Sequence, residues 1–305
     1  MASEATYVLS LFISIIMGLG LYLRSVRWLD LKRTALFFVP VLSAVLVPLC
    51  ARLFFFIARI NFLLPTQGWG GLLDFRPEGM AYTGVIIGLG LSGFLTAKIT
   101  GENYNKLLDA ITPGALLALL LSRLSEFYVT SGQGKYIEQD ILRFFPLAVE
   151  NEWGEWYYAV FMLEALFAFM ILIDARKNRE RSYGYLWQKA LLFLFCSQIL
   201  CESLRAETLR WGFVRVYQLF CAFGITWFYV KWSSRARKRG VSMSLIWPSL
   251  VLLVIVLFGL VGIEFALDKW REMPHWLLYA VMSLGLSFLA FAGMRLLKRS
   301  KGMVL

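Results

Sequence analysis

The chain has 305 residues, 59% of them hydrophobic, a single histidine, and 31 lysines and arginines against 20 acids, a net charge of +11. A mean hydropathy of +0.65 excludes a soluble domain with a large core and indicates an all-α polytopic membrane protein. So basic a chain raises the question of a nucleic-acid partner, but the basic residues stand in loops between apolar runs, where they set membrane topology instead.

A membrane span needs about 20 mainly apolar residues. Nine runs fit: 5–23, 37–62, 80–97, 107–128, 156–174, 188–204, 213–231, 245–266 and 275–297. The first has no basic segment before it and basic residues after it, the pattern of a span and not of a cleaved signal peptide. The second holds Pro40 and Pro48, tolerable where neighbouring helices satisfy the freed backbone groups. The third carries Gly84, Gly88, Gly90 and Gly93, a small-residue pattern that suits close helix packing. Residues 129–156 form the longest loop, with an amphipathic piece around 137–145 and Trp153 and Trp156 as interface anchors, and are expected to lie on the membrane surface or dip into it. The last two runs follow the Arg235–Arg239 cluster and have few internal polar residues, so the chain divides into a membrane domain over 1–234 and an appended two-helix hairpin over 235–305.

Lysine and arginine cluster in alternate loops: Arg24, Arg27, Lys32 and Arg33 after the first run, Lys98 and Lys106 after the third, Arg176, Lys177, Arg179 and Arg181 after the fifth. Arg235, Arg237, Lys238 and Arg239 follow the seventh, and Lys298, Arg299 and Lys301 close the chain. The alternation predicts an N-terminus outside and a C-terminus in the cytoplasm.

With that topology the intramembrane polar groups share the outer half of the bilayer. Arg52 lies about 12 Å below the outer end of the second helix at 1.5 Å per residue. Tyr82 and Thr83 open the third helix; Arg123 and Glu126 stand in the last turns of the fourth; Gln198, Glu202 and Arg205 follow at i, i+4 and i+7 on the sixth. Glu164, near mid-depth, is the main exception. Two readings of this constellation stay open. The groups pair with one another and fix helix register, or surplus arginine meets an anionic lipid head group through bidentate hydrogen bonds. No Ser-His-Asp set and no Cys-His pair occurs, and Cys50, Cys196, Cys201 and Cys221 all fall inside apolar runs. Neither a metal nor a cofactor is expected.

Several short stretches, in order from about Ala51 to Trp227, resemble the prolipoprotein diacylglyceryl transferase family of bacterial inner membranes. Ala51–Phe54 is similar to its G-R-L-x-Y helix, Glu78–Gly84 to its G-G-M-S-F-H-G segment, and Asp109–Pro113 with Ser122–Phe127 to its D-x-x-x-P and G-R-x-G-N-F pair. Ser197–Arg205 is similar to F-R-F-x-x-E-F-F-R, and Gly134 to the glycine closing the loop after the fourth helix. The family's histidine falls at Thr83, its asparagine at Glu126 and one motif arginine at Gln198; its N-x-E loop is not recognisable, and two helices are added to its seven. The resemblance implies transfer of diacylglycerol from phosphatidylglycerol to a lipoprotein cysteine. Arg123 and Glu202 would be the catalytic pair. Arg52, Arg123, Arg205, Gln198, Glu126, Tyr82 and Thr83 would line the lipid site. The alternative is a non-catalytic membrane protein that binds anionic lipid or a partner protein on the same scaffold.

Overall fold

The computed structural model describes residues 2–75, 79–129, 132–151, 153–177, 183–206, 208–211, 214–270 and 274–303, with the backbone alone at 2–4, 211 and 214. Glu78 and the loop residues Arg76, Arg179, Arg181 and Arg271 lie outside them. Among the described residues nine long helices carry the fold: α1 Ala2–Trp28, α2 Arg33–Ala58, α4 Tyr82–Thr100, α5 Tyr104–Ser125, α6 Val160–Lys177, α7 Tyr185–Leu204, α8 Val216–Lys238, α9 Met243–Lys269 and α10 His275–Lys301. A short α3, Ile60–Gln67, follows α2. The chain is therefore a helical, polytopic membrane protein. Of the nine, α1, α2, α4, α5, α9 and α10 are long and apolar enough to cross a membrane by length and composition alone. The other three carry polar side chains inside their apolar runs, such as Glu164 in α6 and Gln188, Lys189, Gln198 and Glu202 in α7.

Boundaries move where local chemistry competes with hydropathy. The run expected over 37–62 begins at Arg33 and ends at Ala58; at Arg59 (φ −113°, ψ 24°) the backbone leaves helical geometry and restarts as α3. The run expected from 156 begins at Val160. Trp156–Tyr158, aromatic and suited to a pleated surface, forms strand β2 and pairs antiparallel with β1, Ala148–Glu150. Of the piece at 137–145, only Asp140–Leu142 turns helically, as a 3-10 turn. The loop is nonetheless folded: Gly134 N donates to Tyr158 O (2.7 Å) and Ile137 N to Trp156 O (2.8 Å).

The chain forms two compact units, Met1–Trp187 with Ala206–Val216, and Gln188–Arg205 with Tyr217–Leu305. In the first, α4 lies on α2 and α1 on α5. A Cβ at Gly88 would stand 2.7 Å from Val47 Cα, and one at Gly84 would collide with the Cys50 carbonyl, so these glycines set how closely α4 approaches α2. Gly114 of α5 plays the same part against Gly18 of α1, where a Cβ would lie 2.5 Å from the Gly18 oxygen. Asp109, buried in α5, accepts from Gly184 N (2.6 Å) and Trp187 N (2.9 Å). It thereby supplies an acceptor and a negative charge to the start of α7.

In the second unit α9 and α10 pack on each other. Trp232 of α8 donates to Gln188 Oε1 (2.6 Å) and stacks on Phe228, centroids 5.0 Å apart. Tyr229 Oη donates to Leu289 O of α10. The C-terminal hairpin thus shares a core with most of α7 and α8.

Candidate functional site

Arg52 is 2% exposed. Its guanidinium is held by backbone oxygens: Nε and Nη2 both donate to Gly71 O, the former at 2.9 Å, and Nη1 donates to Gly79 O at 3.0 Å. Gly71 is presented by a 3-10 turn, Gly68–Leu73, kept against α2 by stacking of Trp69 on Phe56 at 5.9 Å. Asp74 stands 3.8 Å from Nη2 and is partly exposed. A Cβ at Gly79 would run into Nη1, so a larger residue there displaces the guanidinium. Two residues on, Ala81 N donates to Ala51 O (3.0 Å). The Gly79–Gly84 stretch is therefore sewn to α2 by a carbonyl, an amide and a glycine contact, and it delivers Tyr82 and Thr83 into the first turn of α4. Thr83 is buried at 4% exposure.

Arg123 has a different shell. Nη1 binds the Glu126 carboxylate one turn on, as the sequence spacing predicts, and Nε binds Glu164 Oε2 at 2.9 Å. The Tyr82 ring lies 5.9 Å from the guanidinium. One cation is shared by two carboxylates, so this cluster carries one negative charge in excess when all three groups are ionised. Glu126 is 8% exposed; its second oxygen, Oε2, is buried with no hydrogen-bond partner among the described residues. That oxygen rests against Gly132, where a Cβ would stand 2.5 Å away.

Of the expected site residues, Tyr82, Arg123 and Glu126 are thus brought together, while Arg52 has its own shell. Gln198, Glu202 and Arg205 belong to the second unit, on and just after α7. Glu202 is 1% exposed, and its Oε2 lies 3.8 Å from Arg205 Nε, an ion-pair distance too long for a hydrogen bond. Sequence spacing does not reveal the partners of two carboxylates that matter here. Glu164, expected at mid-depth apart from the other polar groups, is the second carboxylate on Arg123; an acid in an apolar helix signals a partner on another helix. Glu264, in the most apolar helix of the chain, accepts from Ser203 Oγ (2.5 Å) and Gln218 Nε2 (2.6 Å).

On the first unit, Ala58, Arg59, Asn61, Phe62, Thr208, Leu209 and Arg210 line an open groove of about 340 Å³ in which both arginines are exposed.

Residues 4–233 match the sequence model of the prolipoprotein diacylglyceryl transferase family. A phosphatidylglycerol–prolipoprotein diacylglyceryl transferase of Clostridium novyi (strain NT) is 26% identical over 178 residues, 56% of this chain and 68% of that protein. Enzymes of the same name from Bacillus mycoides (strain KBAB4) and Bacillus cereus (strain 03BB102) are each 25% identical, covering 74% and 67% of this chain and 85% and 78% of their own length. The family match takes in α1 to most of α8 and stops before α9.

Proposed function

Because the chain belongs to the prolipoprotein diacylglyceryl transferase family, we propose that it is a divergent phospholipid-dependent transferase at the outer leaflet of a bacterial cytoplasmic membrane. Phosphatidylglycerol is the donor and a prolipoprotein cysteine the acceptor, the pair named for its relatives. Such a transfer forms a carbon–sulfur bond and breaks the bond between a diacylglycerol carbon and a phosphate oxygen. Glycerol phosphate leaves with that electron pair, and the thiol proton needs an acceptor.

The observation that carries the reading is Arg123. A guanidinium inside an apolar helix, anchored through Nη1 and Nε by Glu126 and Glu164, is fixed in orientation, and Nη2 is the group we assign to the donor's phosphate. Arg52 extends the positive field, and the exposed Arg59 and Arg210 meet the head group as it arrives. Tyr82, Thr83 and Glu126 line the lipid. On the second unit, the family's motif gives Glu202, with Arg205 at 3.8 Å, the part of proton acceptor.

Two observations favour the second reading, a lipid- or partner-binding protein without turnover. The carboxylates around Arg123 already outnumber it, and Thr83 stands where the family has its histidine. The deciding experiment is to purify the protein, identify co-purifying lipid by mass spectrometry and assay diacylglyceryl transfer to a peptide carrying a lipoprotein-type cysteine. Turnover that is lost in Arg123→Lys supports the transferase; retained phosphatidylglycerol with no turnover supports the binding protein.

A further inference from the structure

An acid in the apolar run of a membrane helix is expensive unless it is partnered, and Glu264 sits in α9, whose other interior residues are almost all aliphatic or aromatic. Its partners lie on two other helices. Oε1 accepts from Ser203 Oγ of α7 at 2.5 Å and from Gln218 Nε2 of α8 at 2.6 Å. Gln218 Nε2 also donates to Ile199 O of α7 at 3.1 Å, and Tyr279 of α10 reaches Ser203 O at 3.5 Å. Both helices of the hairpin therefore grip one turn of α7, Ile199–Ser203. That turn carries Glu202, adjacent to Ser203, and leads into Arg205.

From this geometry we infer that Glu264 is a positioning residue for the α7 motif, and that the C-terminal hairpin, outside the family match, is a working part of the site and not an accessory. The inference rests on the proposed role of Glu202 and Arg205. The hydrogen bonds from Ser203 and Gln218 land on the same oxygen of Glu264, so an amide side chain in its place keeps the acceptor while the charge is removed. An aliphatic side chain of similar size removes both bonds, strands the Ser203 hydroxyl and leaves Gln218 Nε2 only its bond to Ile199 O, loosening the turn that carries Glu202.

The test compares Glu264→Gln with Glu264→Leu in the full-length protein reconstituted with phosphatidylglycerol, using only samples that stay folded and monodisperse. Two readouts are taken: kcat and KM for transfer, and hydrogen–deuterium exchange over 199–205. Glu264→Leu is expected to lower kcat about tenfold with little change in KM and to speed exchange in that turn, because small misplacements of a reacting group are costly. Glu264→Gln is expected to stay within about twofold of the parent, since its oxygen still accepts. Equal losses in both variants would show that the charge acts, and overturn positioning. Unchanged exchange and rate in Glu264→Leu would overturn it too. Should the parent itself show no turnover, the transferase reading falls, but the exchange contrast between Leu and Gln still decides whether Glu264 holds the turn.

Discussion

Arg52 and Arg123 are both arginines embedded in apolar helices of one compact unit, yet they are satisfied in opposite ways. Arg52 is wrapped by the carbonyls of Gly71 and Gly79, with Asp74 at 3.8 Å. Arg123 is clamped between the carboxylates of Glu126 and Glu164. Carbonyls are neutral, so removing Arg52 leaves dipoles short of donors. Removing Arg123 leaves two buried anions facing each other. The first shell orders the backbone of the segment that starts α4, and the second concentrates charge.

The largest effect should follow from breaking the second shell. Arg123→Met is expected to cost about 3–5 kcal/mol, the usual consequence of leaving buried charge uncompensated. Thermal unfolding in detergent measures it. Adding Glu126→Gln and Glu164→Gln to the same protein should recover most of the loss, because no net charge then remains to bury. A single Arg123→Met variant that melts with the parent would show that the two carboxylates do not depend on this arginine.

Arg52 should matter less. Arg52→Met strands the Gly79 oxygen and leaves Gly71 O only the long bond from Asp74 N (3.5 Å), an expected loss of about 1–3 kcal/mol. Gly79→Ala should cost a similar amount, about 1–3 kcal/mol, because its Cβ drives the guanidinium off the carbonyl. Asp74→Asn, at 3.8 Å and partly exposed, should cost under about 1 kcal/mol. If Asp74→Asn instead destabilises as much as Arg52→Met, the ion pair and not the carbonyl shell secures Arg52, and the contrast with Arg123 collapses.

The same contrast explains what could be read from the sequence. Long apolar runs announce helices directly, and Arg123 with Glu126 is legible because a three-residue spacing places both on one helical face. Gly84 and Gly88 are legible for the same reason. The partners of Arg52 are not, since backbone oxygens leave no trace in residue identity and only Gly79, as a glycine, hints at close approach. Glu164 and Glu264 are visible as acids in apolar runs, but their partners sit on other helices and sequence spacing cannot name them. Arg59 breaks α2 within a run with no proline or glycine near it, so hydropathy continues where the helix does not. Trp156–Tyr158 is apolar enough to extend a span and instead pairs as a strand.

A third case, outside the membrane-spanning helices, shows a charge held by neutral groups in water. In the loop between α5 and α6, Glu155 accepts from Tyr157 Oη (2.7 Å) and Asn151 Nδ2 (3.0 Å), while Asn151 Oδ1 takes the amides of Trp153 and Glu155. These donors hold the Glu155 carboxyl below its ordinary range, the phenol contributing most. Because the folded value is depressed, the pair's contribution is complete above the ordinary glutamate value of about 4.3 and is lost as pH falls through the lower folded one. Tyr157 mirrors this: its hydrogen bond to Glu155 raises the phenol, so its contribution is complete below about pH 10 and lost as pH rises through the raised value. The turn should therefore be tightest between about pH 5 and pH 10 and loosen at both ends. Hydrogen exchange over 151–157, corrected for the intrinsic pH dependence of exchange, reads this directly. Tyr157→Phe should bring the Glu155 titration back toward its ordinary value and shift the acid-side loosening to higher pH, a small effect because both groups face solvent. An acid-side midpoint that Tyr157→Phe leaves unmoved would mean that Asn151, and not the phenol, holds the charge.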